Sequence, residues 1–362
     1  MLIPNIEPSA ADAEIIIDAT HLGKRHITGI ERITLELFSQ YAMQPLKTRS
    51  VDTKNRLHMM WQQNITLPIM ALKNRNALFI IPGFPPSILM TFFGARVVPY
   101  IHDLFLITRW SDLGFVGKFY MSIPFRFAVR NLPMFLVNSE TTGFELRKFC
   151  KQDAEIILYR PPVRNVFSVS DKARNVKQNM CGTLKLIALG TVEPRKNLCA
   201  AANILAELRA GAYPNATLDI IGKIGWGGDA ETLKTCEGIT LHGYKSSSEI
   251  KELIENSDLL ISTSHDEGLG LPLLEAQYSG ICVVAPNKPV FREVLGESGV
   301  FIEPSEAQKS AKIITDLVVT PKWRAKQSEL SQQNILRWNA LAASDHIKVI
   351  ALLGSLANRQ SC

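Results

Sequence analysis

The chain reads as an α/β protein built from two doubly wound parallel sheets, and three observations predict this. Short apolar runs alternate with helical patterns in βαβα order through both halves, the pattern of parallel strands joined by crossover helices. The 362 residues are too many for one ordinary core and suit two domains. A composition of 46% hydrophobic and 20% charged residues is that of a globular protein, and no apolar run approaches the roughly 20 residues of a bilayer span.

In the first half the apolar run 14–19 predicts a strand. Thr28 then caps a helix, with Glu31 completing a Thr-x-x-Glu capping box. Ile30, Ile33, Leu37 and Tyr41 fall at helical spacing along it. Residues 77–81, 97–101 and 134–137 are short apolar strands. Ser139 caps the next helix and 155–158 is a further strand. Arg160-Pro161-Pro162 breaks the pattern, and the polar, aperiodic stretch 168–182 is the expected interdomain linker.

The second half repeats the alternation. Strands are expected at 184–189, 217–221, 239–241, 258–263 and 281–285. A helix from 197 to 210 stops at Gly211, and Ser246 with Glu249 boxes the start of another that ends before Asp258. After Ser264 comes His265-Asp266-Glu267-Gly268-Leu269-Gly270-Leu271-Pro272-Leu273-Leu274-Glu275-Ala276. Pro272 fits a first helical turn and Gly280 a C-terminal cap. A strand, a glycine turn and a helix start leave backbone N–H groups and a positive dipole end free for an anion. Glu267 is expected on the turn and Glu275 in the first helical turn. A carboxylate does not bind phosphate but accepts well from paired hydroxyls. Phosphate on the amides and hydroxyls on the acids together suggest a sugar nucleotide.

Charge and cysteine content narrow the classes further. The net charge of +6 lies wholly in residues 1–165, which hold 19 basic and 13 acidic residues against 21 of each in 166–362. That bias suits an anionic membrane surface or a phosphorylated acceptor; it is too diffuse for nucleic acid, and no nucleic-acid motif is present. Residues 1–13 carry acids and prolines and no basic stretch, so no secretory signal is expected. The six cysteines (150, 181, 199, 236, 282 and 362) form no Cys-x-x-Cys and are expected as reduced, mostly buried thiols of a cytoplasmic protein.

The string from His265 to Ala276 resembles the Glu-(seven residues)-Glu signature of family 4 retaining glycosyltransferases, whose fold is GT-B. Leu189-Gly190-Thr191-Val192-Glu193-Pro194-Arg195-Lys196-Asn197 is similar to the family's Gly-Thr-x-x-x-Pro-Arg-Lys-Asn loop. Thr28-Gly29-Ile30-Glu31-Arg32, Tyr100-Ile101-His102-Asp103 and Val137-Asn138-Ser139-Glu140 follow the family order. The resemblance implies an N-terminal acceptor-binding domain at 1–167, the linker at 168–182, a nucleotide-sugar domain at 183–340 and a helix at 341–362 crossing back to the first domain. It also implies roles. Glu275 would bind ribose hydroxyls and Glu267 the donor sugar. Gly268, Leu269 and Gly270 would offer amides to phosphate or sugar. Gly29 would let backbone approach the diphosphate, although the turn itself could equally require it. His102 would reach the donor sugar or reacting centre. Gly222 and Tyr244 would border the base, and Tyr244 could equally be packing.

Charge that develops on a leaving diphosphate must be stabilised. The chain holds no Asp-x-Asp that would carry a metal, so Arg195 and Lys196 are the expected counter-charges and no metal or cofactor is expected. The aromatic and basic stretch 115–131 is expected as a packed helix, with lipid contact as its alternative. The resemblance implies a cytoplasmic hexosyltransferase, peripheral at the inner membrane surface, moving mannose from GDP-mannose to a glycan or lipid-linked glycan. UDP-glucose, UDP-galactose and dTDP-rhamnose are alternative donors. A non-hydrolysing sugar-nucleotide 2-epimerase and an inactive glycan-binding scaffold are readings from other classes. The intact Arg195, Lys196, Glu267 and Glu275 argue against the scaffold.

Overall fold

The computed structural model describes residues 14–22, 29–171 and 182–361. Two compact units divide the chain: Met1–Pro161 with Ala342–Cys362, and Pro162–Leu341.

The first unit carries six parallel strands: β1 (Ile15–Asp18), β2 (Thr48–Val51), β3 (Leu78–Ile81), β4 (Val97–Ile101), β5 (Met134–Val137) and β6 (Glu155–Leu158). Their order is β2-β1-β3-β4-β5-β6. The central strands β1, β3, β4 and β5 are buried at every position, as continuous apolar runs covered on both faces require. Phe79, Phe135, Val97 and Leu146 belong to the core between sheet and helices. The edge strand β2, Thr-Arg-Ser-Val, is mostly exposed and has no apolar run to announce it.

The second unit repeats the plan with β7 (Lys185–Leu189), β8 (Thr217–Ile221), β9 (Ile239–Gly243), β10 (Leu259–Ile261), β11 (Cys282–Pro286) and β12 (Gly299–Ile302), all parallel. The order is β12-β11-β10-β7-β8-β9. Leu186, Leu218, Leu259 and Val284 pack with Ile204, Leu205 and Ile314 of the covering helices. Ser246 and Glu249 make the expected capping box for Ser247–Asn256, and Ser139 caps Glu140–Arg147.

Several expectations need correction. The helix Gly29–Phe38 ends before Tyr41, which is 84% exposed, and its buried face is Glu31, Ile33, Thr34, Leu37 and Phe38. Its expected cap, Thr28, lies outside the described residues. The first unit ends at Pro161 rather than at 167, where the Arg-Pro-Pro break falls. Of the expected linker, 172–181 lie outside the described residues, and Val169 is buried in the second unit with Asn165 hydrogen-bonded to both its N–H and its carbonyl. Among the described cysteines only Cys282 is buried; Cys150, Cys199 and Cys236 are half-buried.

The last helix, Trp323–Ser361, is long and apolar enough by composition to cross a membrane. Its buried positions are packed within the units it belongs to. In the second unit Arg324 pairs with Asp258 at 2.9 Å and Asn334 bonds Gln277 at 2.8 Å, while Trp338 is fully buried. From Ala342 onward it belongs to the first unit. There Asp345 accepts from the buried Arg160 at 2.8 Å, His346 meets the Tyr159 hydroxyl at 3.0 Å, and Val349 and Leu353 are buried.

Candidate functional site

In an open parallel sheet, the strand order reverses at a switch point where the loops leaving two neighbouring strands diverge and open a crevice. In the second unit that point lies between β7 and β10. The loops leaving these strands, 190–197 and 262–270, carry Arg195, Lys196 and Glu267, three of the residues singled out by sequence.

The structure brings these three into one cluster. Lys196 Nζ donates to Glu267 Oε1 at 2.5 Å, and Arg195 Nη1 donates to Glu267 Oε2 at 3.1 Å. The Ser264 hydroxyl adds a bond to Oε1 at 2.8 Å. Arg195 is held again by Glu193 Oε1, at 2.7 Å from Nη2, and by the Asp266 carbonyl at 2.9 Å. Backbone seams fix the two loops together: His265 N–H donates to the Arg195 carbonyl at 2.9 Å, and the Thr263 hydroxyl donates to the Asn197 carbonyl at 2.8 Å. Burial pushes the Glu267 carboxyl up, but Lys196, Arg195 and Ser264 together hold it below the ordinary carboxylate range. Burial lowers the Arg195 guanidinium, and Glu267 and Glu193 more than restore it. Arg195 and Glu267 thus each favour the other's charged form. Glu193, Ser264 and Asp266 were not singled out in the sequence. Glu193 stands inside the quoted loop motif, which was the available signal.

The glycine turn has two parts. Gly270 sits at φ +77°, where only glycine is unstrained, and precedes the helix Leu271–Ala276 with Pro272 in its first turn. Leu269 is buried. Glu275 corrects the expectation. It lies beyond the first turn of that six-residue helix and is only 3% exposed.

Gly222 has a packing reason. A Cβ there would lie 1.9 Å from the Gly190 carbonyl oxygen, so the β7 and β8 loops touch backbone to backbone. Gly190 N–H donates to the Ile221 carbonyl and Val192 pairs with Ile224 across the same seam. Tyr244, after β9, is exposed, with the Lys223 ammonium 5.3 Å from its ring centre.

In the first unit the order reverses between β1 and β3. The loop after β1 holds a polar network that sequence reading missed. Asp18 is buried and accepts from Thr20 N–H at 2.9 Å. Burial drives its carboxyl above the ordinary range, partly offset by Thr20 and Gln63. His21 bonds Thr34 at 2.8 Å, and Gly83, after β3, presses against the His21 ring so closely that a Cβ would overlap it. At the end of β4, His102 Nε2 donates to the Pro82 carbonyl at 2.7 Å. That bond sets the tautomer, so Nδ1 is an unprotonated acceptor with no hydrogen-bond partner among the described residues. Burial lowers the imidazole to about 4 despite the Pro82 bond, which keeps it neutral at physiological pH. At Gly29 neither a positive φ nor a crowding neighbour requires glycine, since a Cβ would meet nothing within 4 Å.

Comparison with known proteins fits this arrangement. Residues 170–334 match the family model described as glycosyl transferases group 1. A stretch of 156 residues, 40% of this chain, is 30% identical to the serotype-specific mannosyltransferase WbdA of Escherichia coli, covering 18% of that protein. A stretch of 160 residues is 31% identical to the O-antigen chain mannosyltransferase B of Escherichia coli, covering 41% of each chain. The chain thus spans less than half the length of these curated relatives. Among solved structures, Anabaena Alr3699/HepE in complex with UDP and glucose superposes with a TM-score of 0.67 at 15% identity, covering 95% of this chain and 100% of that one. That likeness shows the fold, the GT-B pair of Rossmann-like sheets.

Proposed function

We propose that this chain, whose second unit carries a group 1 glycosyltransferase domain of the family 4 type, moves a hexose with retention from a nucleoside-diphosphate sugar to a growing, lipid-linked cell-surface glycan. The donor of choice is GDP-mannose, a reading supported by the mannosyltransferases among its relatives. The observation that carries it is the Arg195–Lys196–Glu267 cluster at the switch point of the second sheet. Diphosphate leaves with growing negative charge, and preorganised cations aimed at that charge lower the barrier. In this reading Arg195 and Lys196 turn to the diphosphate. Glu267 keeps them in place and accepts from sugar hydroxyls. Gly268, Leu269 and Gly270 offer backbone amides. Glu275 takes the ribose, Gly222 and Tyr244 border the base, and Gly29 and His102 serve from the first unit. The protein cations replace a metal, and the enzyme works at the cytoplasmic face of the membrane.

A second donor is favoured by a specific observation: the structural relative HepE was solved with UDP and glucose. Calorimetric titration with GDP and UDP decides between them. Tighter GDP binding supports the mannosyl reading, and tighter UDP binding replaces it. Product analysis with donor alone tests the class of reaction, since an epimerase turns over without acceptor and a transferase does not.

A further inference from the structure

The loop that leaves β8 holds two glycines in close approach to its neighbour and a tryptophan in solvent. It reads Gly222-Lys223-Ile224-Gly225-Trp226-Gly227-Gly228 and runs to the helix Asp229–Lys234. Its backbone is seamed to the loop after β7. Val192 N–H donates to the Lys223 carbonyl at 2.9 Å, and Gly225 N–H donates to the Val192 carbonyl at 3.0 Å. A Cβ at Gly225 would lie 2.7 Å from Thr191 Cγ2 and 2.9 Å from the Val192 carbonyl oxygen, and one at Gly227 would lie 2.7 Å from Pro194 Cγ. Gly227 also has φ +95°, which strains any residue with a Cβ. Trp226 stands between these two glycines, so its backbone is fixed against residues 191–194 from both sides.

Burial does not explain the tryptophan. Its side chain is 53% exposed, beside Ile224 at 57%, and it makes no hydrogen bond or ring contact among the described residues. The other exposed ring at this end of the sheet, Tyr244, is already faced by the Lys223 ammonium. An indole offers a flat apolar face and one N–H donor. On a loop held this closely, that face is presented to a ligand at little ordering cost.

Next to it stands a carboxylate with an oxygen to offer. Arg195 Nε and Nη2 donate to Glu193 Oε1 at 3.1 and 2.7 Å. That leaves Oε2 to accept from another donor, on a side chain that is 18% exposed. Carboxylate oxygens accept well from hydroxyls, and binding sites commonly join an aromatic face to a few polar groups that fix orientation. A hexopyranose matches both, with C–H bonds on the faces of its ring and hydroxyls around its edge. We propose that Trp226 and Glu193 form a saccharide subsite, with the C–H face of a hexopyranose on the indole and hydroxyls of the same ring on Glu193 Oε2.

The place of the subsite favours a sugar over a base. Glu193 is two residues from Arg195, which in the glycosyltransferase reading meets the diphosphate. The base of a nucleotide is separated from that anion by the ribose. The donor hexose is bonded to it, and the acceptor sugar must reach the bond that breaks. The choice of sugar over base, and of one sugar over the other, rests on that reading; the indole face and its carboxylate do not.

The test titrates wild type, Trp226→Ala and Trp226→Phe calorimetrically with GDP, with GDP-mannose, and with an α-linked mannobiose added to the GDP complex. UDP and UDP-glucose replace the guanine pair if the wild type prefers them. Trp226→Ala is expected to leave nucleotide affinity within about twofold and to weaken one sugar ligand about tenfold, with Trp226→Phe in between. Its melting temperature should match the wild type, because the ring is exposed. A loss for the nucleotide sugar beyond that for the nucleotide assigns the donor hexose, and a loss for mannobiose assigns the acceptor sugar. Unchanged affinity for both overturns the proposal. So does an equal loss for nucleotide and nucleotide sugar, which would put the indole on the base. Glu193→Gln, which keeps one oxygen for Arg195, should weaken the same sugar; undiminished affinity there strikes the carboxylate from the subsite. A wild type that binds neither nucleotide sinks the glycosyltransferase reading instead, and mannobiose titrated onto the free protein then decides the subsite alone.

Discussion

The two switch points, one in each unit, solve opposite electrostatic problems with the same sheet. At the end of β7 and β10, two cations and two carboxylates sit within hydrogen-bond distance, and Arg195 and Glu267 each favour the other's charged form. In the first unit, the loop after β1 and the end of β4 hold a carboxyl pushed up by burial and an imidazole pushed down to about 4 by burial. Burial alone drives a titratable group toward its neutral form, whereas an opposite charge nearby keeps it charged. The second unit's switch point thus carries paired charges, while burial in the first works against charge at Asp18 and His102.

The largest test of the comparison is Arg195→Ala. In the proposed reading it removes a guanidinium that meets charge growing in the transition state, and such a loss costs about 10²–10³ in turnover. Initial rates at saturating donor measure it. A variant with near wild-type turnover would take Arg195 out of the mechanism and leave the second switch point as a structural ion-pair cluster.

The next effect separates the units by pH. His102 has a folded pKa near 4, below the roughly 6.5 of an unfolded histidine. Its share of stability is full above about pH 6.5 and is lost as pH falls through that window, by at most about 3 kcal/mol. Glu267 is depressed instead, so its share is present above the unfolded carboxylate value of about 4.3 and is lost only below it. Denaturant melts from pH 7 to 4 should therefore steepen in acid for the wild type and flatten for His102→Gln, which can still donate to Pro82. An unchanged profile in that variant would mean that the first unit's neutrality is not stored at His102.

How much of this was legible differs between the two sites. The central strands announced themselves, because a strand covered on both faces reads as an unbroken apolar run. Edge strands β2 and β12 did not: three of the four residues of β2 are polar, and β12 is four residues opening on a glycine. The run 56–73 also stayed hidden, since its large apolar residues lie on the outer side and the inner side holds Gln63. Arg195, Lys196 and Glu267 were legible as residues, through motifs. Their mutual pairing was not, because the partners stand about seventy positions apart and only the order of β7 and β10 brings them together. Glu275 was placed a turn too early, because the helix begins at Leu271 and not before it.

That pairing changes what Glu267→Ala should do. Its removal leaves Arg195 and Lys196, both largely buried, without their shared anion. Breaking a fully buried pair costs about 3–5 kcal/mol, and partial exposure here brings the expected loss to roughly 2 kcal/mol. A bound nucleoside diphosphate would supply the missing charge. Its addition should therefore raise the melting temperature of the variant more than that of the wild type. An equal shift in both proteins would show that the diphosphate does not meet these cations, and would move the anion site elsewhere on the second unit.

The smallest expected effect is that of a chelator. In the proposed reading the diphosphate lies by Glu193 and Glu267, and both carboxylates are already bonded by Arg195 or Lys196. A metal would have to displace two cations that are held by short hydrogen bonds and by the loop seams. In the proposed reading the same two cations supply the double positive charge that a metal would bring. Transfer measured in EDTA should thus match transfer with added magnesium within the scatter of the assay. Activity abolished by the chelator and restored by magnesium or manganese would instead assign the ion pairs a resting role, opened when a metal-bound donor enters. The second switch point would then be charged for a different reason from the one argued above.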